Sequence, residues 1–274
     1  MFSRALLSVV RPLPVDTEGL VYVEGSEEDG MIRRGKVLSP ATGETYEIKN
    51  GYLDLLKSRI GADNIANLTN FLPGAGRGYE PLWRGRSLRL LTGESFPNEE
   101  ELGIIKDLIR HVPDGRYLDL GCSAGLYTRG LARDVDAGVV GIDISPSMLR
   151  EADRRARLSG TKPSFVRANA QNLPFFYGAF SGAVCGGSLN EFGNPARVLR
   201  EAHRVLQSGG RLAIMGILTA QTRRGRRLQR FLSTGGIKFF DSDELRSLLD
   251  HAGFEPDPLR TDGPLFFAGA TRRA

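Results

Sequence analysis

Asp119, Gly121, Ser123 and Gly125 lie close together in the stretch Tyr117-Leu-Asp-Leu-Gly-Cys-Ser-Ala-Gly-Leu-Tyr-Thr128. An apolar run halts at a carboxylate, turns on two glycines and enters a segment compatible with a helix. At such a strand–loop–helix junction backbone amides can approach a nucleotide-like ligand, because glycine brings no side chain to block the approach or forbid the turn. A dinucleotide fingerprint fits poorly, since it needs glycine at Ser123 and Leu126. A nucleophile elbow fits formally: Gly121-Cys122-Ser123-Ala124-Gly125 reads G-x-S-x-G, and His203 or His251 could be nominated as the base. That reading lacks a preceding βαβ series and a His-Gly-Gly oxyanion run. A third reading depends on the residues beyond the loop.

Gly138-Val-Val-Gly-Ile-Asp143 is an apolar run ending in a carboxylate, and Ile144-Ser-Pro-Ser-Met148 then opens a helix. A carboxylate about 20 residues past a glycine loop can accept hydrogen bonds from both ribose hydroxyls. The alternative is a helix cap, for which Asp, Ser and Pro are all suited. Ser164–Ala168 reads as the next strand, leading into Asn169-Ala-Gln-Asn-Leu-Pro-Phe175, and Phe180–Asn190 reads as another. Val198–Leu206 has helical spacing and runs into a glycine turn at Gly209-Gly210 that feeds a strand. A capped amphipathic helix over Phe240–Leu249 and a closing strand over Gly263–Ala270 complete the series.

In this order the motifs resemble those of class I S-adenosylmethionine-dependent methyltransferases, whose loop has the form D-L-G-C-x-x-G. The core looks most like that of the ubiquinone and menaquinone methyltransferases, with a type 11 methyltransferase domain. The resemblance runs from about Asp107 to the C-terminus. It implies an α/β, Rossmann-like, doubly wound sheet of seven strands, and S-adenosylmethionine as cofactor with S-adenosylhomocysteine as product. It also implies roles for individual residues. Asp119 would order the loop, Gly121, Cys122, Ser123 and Gly125 would cradle the methionine part, and Asp143 would hold the ribose. Ile144 and Met148 would lie towards the adenine, Asn169 and Ala170 would edge it, and Gly186 would leave room at the sulfonium. The family's D-A-x-x-L-P-F segment carries an acid where Asn169 stands; an amide oxygen still accepts a hydrogen bond, without charge. Ser181 and Ser208 are further departures, from F-D-x-V and from the proline before the glycine pair.

Upstream, residues 15–56 read as β-rich, with turns at Thr42-Gly43 and Asn50-Gly51. Leu38–Leu55 resembles the zinc-ribbon end that precedes some methyltransferase domains, including ribosomal RNA guanine methyltransferases. Ser39 and Thr42 hold the cysteine positions of its C-P-x-C-G form, and hydroxyls are poor zinc ligands beside thiolates. The expectation is a degenerate ribbon folded by its strands, without metal. The predicted organisation is a small β-rich subdomain over 1–58, a helical or loop lid and linker over 59–106, and the cofactor-binding domain over 107–274. Tyr79, Trp83 and Arg84 combine aromatic bulk with nearby glycines and are candidates for the acceptor pocket, with Ser188 and Asn190 from the core. Packing of Trp83 onto the core is an equal reading. Glu191, next to Asn190, could orient an acceptor but reads first as an ordinary solvent-facing acid.

The chain has 274 residues, 41% hydrophobic and 25% charged, enough for one large core and a small accessory unit. No apolar run approaches the roughly 18 residues that a transmembrane helix requires, and Met1–Arg11 makes a weak signal peptide, so a cytoplasmic location is expected. Cys122 and Cys185 are read as free buried thiols. The net charge of +5 concentrates at Thr222-Arg-Arg-Gly-Arg-Arg-Leu-Gln-Arg230. A cluster there would attract an acidic substrate, a diphosphate, a membrane surface or RNA, or would simply be a solvated face. No aromatic residue interleaves those arginines, which counts against a single-stranded nucleic-acid platform.

The function read from these features is methyl transfer to a small acceptor (aromatic, lipophilic or acidic) by in-line displacement, with proximity and orientation as the main catalytic effects. RNA base methylation, or cofactor binding without transfer, are the alternatives. No histidine is assigned as a general base.

Overall fold

The structure is a computed structural model that describes residues 1–12, 15–56, 97–136 and 138–274. After a short β1 (Phe2–Ser3) and a 3-10 turn over Arg4–Val9, the chain builds an antiparallel ribbon. Its strands are β2 (Val21–Glu28), β3 (Met31–Leu38), β4 (Thr45–Lys49) and β5 (Tyr52–Asp54). Asp29-Gly30 and Asn50-Gly51 both take positive φ at their two positions, the geometry that joins twisted antiparallel strands in the fewest residues. The β2–β3 arms run well past their apolar segments. Exposed Glu24 faces Lys36 across the ladder, with a 2.8 Å ion pair.

Helices separate most of the remaining strands. Helix α1 (Asn98–Leu108) leads to β6 (Tyr117–Leu120), α2 (Leu126–Leu131), β7 (Val139–Asp143), α3 (Pro146–Leu158), β8 (Ser164–Arg167) and β9 (Phe180–Gly186). Then come α4 (Pro195–Val205), β10 (Leu206–Ile217), α5 (Arg223–Ser233), α6 (Ser242–His251), β11 (Phe254–Pro256), β12 (Arg260–Asp262) and β13 (Leu265–Arg272). Strands β6 to β10 pair in parallel, and β13 runs antiparallel to β10 from Arg211↔Thr271 to Ile217↔Leu265. Both faces of these strands are apolar, as a sheet covered by helices on each side requires. Leu118, Leu120, Val140 and Ile142 pack with Leu199, Leu245 and Leu249 on one face. Tyr117, Val139, Val184 and Met215 pack with Ile105 and Leu131 on the other.

The order β8-β7-β6-β9-β10-β13-β11 is the seven-stranded doubly wound core expected from the sequence. The hydrogen bonding does not stop there. β5 lies parallel to β8 through Leu53↔Val166 and Asp54↔Arg167, so the ribbon continues the same sheet. Arg167 Nη1 reaches the Asp54 carboxylate at 3.2 Å across this junction. The ribbon thereby covers the edge that β8 would otherwise leave open to another chain.

At Ser39 and Thr42, hydrogen bonds hold the turn. The Ser39 hydroxyl, fully buried, donates to buried Asp16 and accepts from the Thr42 hydroxyl at 2.9 Å.

Candidate active site

The C-terminal ends of β6, β7, β8 and β9 lie along one edge of the sheet, and strand order reverses at β6, whose neighbours are β7 and β9. A crevice at such a switch point is where open α/β sheets take ligands. The loop after β6 has positive φ at Gly121 (68°), Ser123 (50°) and Gly125 (76°), and within this tight turn the Cys122 and Gly125 amides bond the Ile142 and Cys122 carbonyls, each at 2.8 Å. Gly121 is required sterically as well: a Cβ there would lie 2.6 Å from Ser188 Oγ.

Two carboxylates hold this loop. Asp119, buried in β6, accepts from the Thr128 amide at 3.0 Å and from its hydroxyl at 2.6 Å, fixing the start of α2. Asp143, half-buried at the tip of β7, accepts from the Ser123 amide at 2.9 Å and from the Ser145 amide at 2.8 Å. The cap of α3 is Ser145, whose hydroxyl accepts from the Met148 amide at 3.4 Å; Asp143 orders the residue before the helix through the Ser145 amide and also grips the loop of the neighbouring strand. Cys122 is buried between them, and Gly141 lacks the Cβ that would come within 3.0 Å of its sulfur.

Ile144 follows Asp143 half-buried, while Met148 is buried in α3 with its sulfur 3.6 Å from Ser123 Oγ. Asn169 uses its Oδ1 in a local turn, accepting from the Gln171 amide at 2.9 Å, and Ala170 behind it is buried. Gly186 ends β9 under the Tyr127 ring, which would clash with a Cβ at 2.5 Å. Ser188 closes the crevice from that side, its hydroxyl donating to the Gly121 carbonyl at 2.8 Å. The structure therefore gathers Asp119, the loop residues, Asp143, Ile144, Met148, Asn169, Ala170, Gly186 and Ser188 at one edge. Asn190 stands apart from an acceptor-facing role. Buried, it donates to the carbonyls of Ile217 (2.9 Å) and Lys238 (2.6 Å) and accepts from the Ile217 amide (3.0 Å), clamping the end of β10. Tyr79, Trp83 and Arg84 lie outside the described residues.

Electrostatics picks out a residue that motif reading sets aside. Burial pushes the Asp143 carboxyl up to about 6, against the opposing effect of its amide donors. Burial, and then the charge of Asp143, push the Glu191 carboxyl up to about 7. Glu191 follows the short 3-10 turn Ser188–Asn190, its amide bonded to the Ser188 carbonyl at 2.9 Å. Only packing puts these two acids in each other's field, so local sequence carries no sign of it. The thiols of Cys122 and Cys185 are raised by burial and are poor nucleophiles in that state. No histidine serves the site: His111 stacks on Tyr117, His203 meets Phe254 edge-on, and His251 bonds the Ser247 carbonyl within α6. Ser123 accordingly has Met148, not an imidazole, beside its hydroxyl, which removes the elbow reading. Among the described residues no group of three or more His, Cys, Asp or Glu side chains could hold a metal ion.

Comparison with known proteins places this geometry. Residues 118–214 match the family model described as a methyltransferase domain. A chloroplastic 2-methyl-6-phytyl-1,4-hydroquinone methyltransferase of Arabidopsis thaliana is 32% identical over 161 residues, covering 58% of this chain and 46% of that one. A demethylmenaquinone methyltransferase of Thermotoga maritima is 29% identical over 190 residues, covering 61% of this chain and 80% of that one. The chain thus spans about half the length of the plant relative. A solved S-adenosylmethionine-dependent methyltransferase from Methanosarcina mazei superposes with a TM-score of 0.52 at 27% identity, covering 60% of this chain and 95% of that one. The matched segment, with its glycine loop and the acid at the tip of β7, is similar to methyltransferase domains and shares the fold of that solved enzyme.

Proposed function

We propose that the protein methylates a small lipophilic aromatic acceptor, of the hydroquinone kind, using S-adenosylmethionine. The observation that carries the reading is the 2.9 Å bond from Ser123 to Asp143, which fixes a glycine loop and an acid side by side at adjacent strand tips. Similar proteins include a 2-methyl-6-phytyl-1,4-hydroquinone methyltransferase and a demethylmenaquinone methyltransferase, beside a malonyl-[acyl-carrier protein] O-methyltransferase, and the RNA alternative draws no support from these.

The residues fit that cofactor. Asp143 is paired with amides and with no cationic side chain among the described residues, and burial has raised its carboxyl. Such a group favours a ligand that brings hydroxyl donors and a positive charge. When bound, the cofactor would supply a sulfonium methyl activated for in-line attack by the acceptor, with S-adenosylhomocysteine as the leaving group.

The chain's own contribution is placement. Ser188 and Gly121 hold the tips of β9 and β6 together, and at Gly187 a Cβ would meet nothing within 4 Å, so the space there is open. Holding two reactants aligned removes up to about 7–11 kcal/mol of barrier in favourable cases. Glu191 is assigned the proton. As the acceptor oxygen or carbon forms its bond to the methyl, its hydrogen passes to the Glu191 carboxylate. A carboxyl raised to about 7 is matched to that transfer near neutral pH.

The test is transfer of labelled methyl from S-adenosylmethionine to a panel of short-chain hydroquinones, with catechols, phenols and RNA as competitors. Turnover on hydroquinones supports the reading. Turnover confined to RNA, or tight cofactor binding with no transfer to any acceptor, replaces it.

A further inference from the structure

Helix α5 carries five arginines and no acid over Arg223–Ser233. Arg226 bonds the carbonyls of Ala220 and Gln221, whereas Arg223, Arg224, Arg227 and Arg230 are exposed and make no ion pair with any described residue. Cations crowded into the first turns oppose the helix dipole, so the helix by itself gains nothing from this arrangement. Beside the arginines sit two large apolar side chains: Phe231 is 73% exposed and Leu228 38%. Leu228 and Phe231 are spaced i, i+3 and share one flank; Arg223, Arg227 and Arg230 are spaced i, i+4, i+7 and share the next.

A polar residue does the anchoring that an apolar face usually does. Gln229, buried, accepts from the Ala220 amide at 2.8 Å and donates to the Leu218 carbonyl at 2.8 Å. The Thr222 hydroxyl caps the helix start, accepting from the Gly225 amide at 3.1 Å. The helix is thus pinned by hydrogen bonds to the chain leaving β10, just past the strand end that neighbours Gly186. Leu228 and Phe231 face outward.

We propose that α5 docks the protein on an anionic lipid surface, with Phe231 and Leu228 entering the headgroup region and the arginines meeting lipid phosphates. Arginines flanking an exposed Phe–Leu stripe are the pattern of an interfacial helix, and long arginine stems let the charge stay at headgroup level while the apolar tips go deeper. RNA fits less well, because a single phenylalanine with an aliphatic neighbour offers no series of stacking faces. Among the described residues no helix is long and apolar enough to cross a membrane, so the contact is with the surface. The inference goes beyond methyl transfer and stands on α5 alone, although such docking would place the acceptor end of the sheet near a lipophilic substrate's source.

The experiment is co-sedimentation of the full chain with vesicles of phosphatidylcholine alone and of phosphatidylcholine with phosphatidylglycerol, at low and high salt. Binding is expected to the anionic vesicles only and to weaken with salt. Replacing Arg223, Arg227 and Arg230 together by Gln should weaken it about fivefold per arginine. Phe231→Ser should weaken it about tenfold with charge unchanged. Cofactor titration of each variant, expected unchanged, shows that the fold is intact. Equal binding to neutral vesicles, no binding to either, retention of RNA in place of vesicles, or full binding by Phe231→Ser would each overturn the proposal.

Discussion

The amide of Ser123 and the carboxylate of Asp143 meet at 2.9 Å, joining the loop after β6 to the tip of β7. Ser123 occupies a positive-φ conformation that costs a non-glycine residue energy, and this bond offsets part of that cost. The acid therefore organises the loop before any ligand arrives, and pre-organised sites bind with less lost freedom.

Cofactor affinity should depend on pH through Asp143. Its carboxyl in the folded protein lies at about 6, above the ordinary 3.8, because burial disfavours the charge. Folding thus favours the protonated form: the contribution to stability is whole below about pH 4 and declines as pH rises to about 6. Ribose hydroxyls and a sulfonium favour the ionised form, so binding should tighten as pH rises through about 6 and level off above it. Below that point affinity should fall by up to about tenfold per pH unit. Calorimetric titration with S-adenosylhomocysteine between pH 5 and 8 checks this; a profile flat across pH 6 would show that the carboxylate does not contact the ligand.

Asn190→Ala should behave as a stability variant. The change removes three hydrogen bonds between the turn after β9, β10 and the Lys238 segment, leaving two carbonyls and an amide to find other partners. The expected loss is about 2–4 kcal/mol, read by denaturant unfolding. The acceptor KM should stay near its original value. A raised acceptor KM at unchanged stability would instead return Asn190 to the acceptor pocket.

Glu191→Gln tests the proton assignment. With the carboxyl at about 7, activity should rise with pH as Glu191 ionises, and this limb should vanish in the amide variant. A fall in kcat of about 10²-fold or more is expected, the scale of a lost general base, with cofactor affinity kept. An unchanged pH–rate profile would leave methyl transfer to placement alone.

Much of the cofactor edge is legible in the sequence because its signals are local. Gly121 and Gly125 mark a turn that needs positive φ, and Asp143 ends an apolar run at the next strand tip. Asn190 looks available because its three partners lie 27 and 48 residues away and leave no mark beside it. Glu191 reads as an ordinary surface acid for the same reason: its shift comes from burial and from an acid on another strand. The arms Glu24–Glu28 and Arg33–Lys36 are polar on both sides, so alternation, the usual strand signal, is absent there. Nor does a two-residue parallel contact such as β5 with β8 have any periodicity of its own. Local chemistry is readable; long-range pairing is not.

Calorimetric titration of the wild-type protein and of Asp143→Ala with S-adenosylhomocysteine at pH 7.5 tests the central claim most directly. The account predicts one binding site in the wild type and a loss of roughly 1–3 kcal/mol in the variant, the scale of a lost hydrogen bond to a charged group. Equal affinities, or no heat from the wild type, would contradict it.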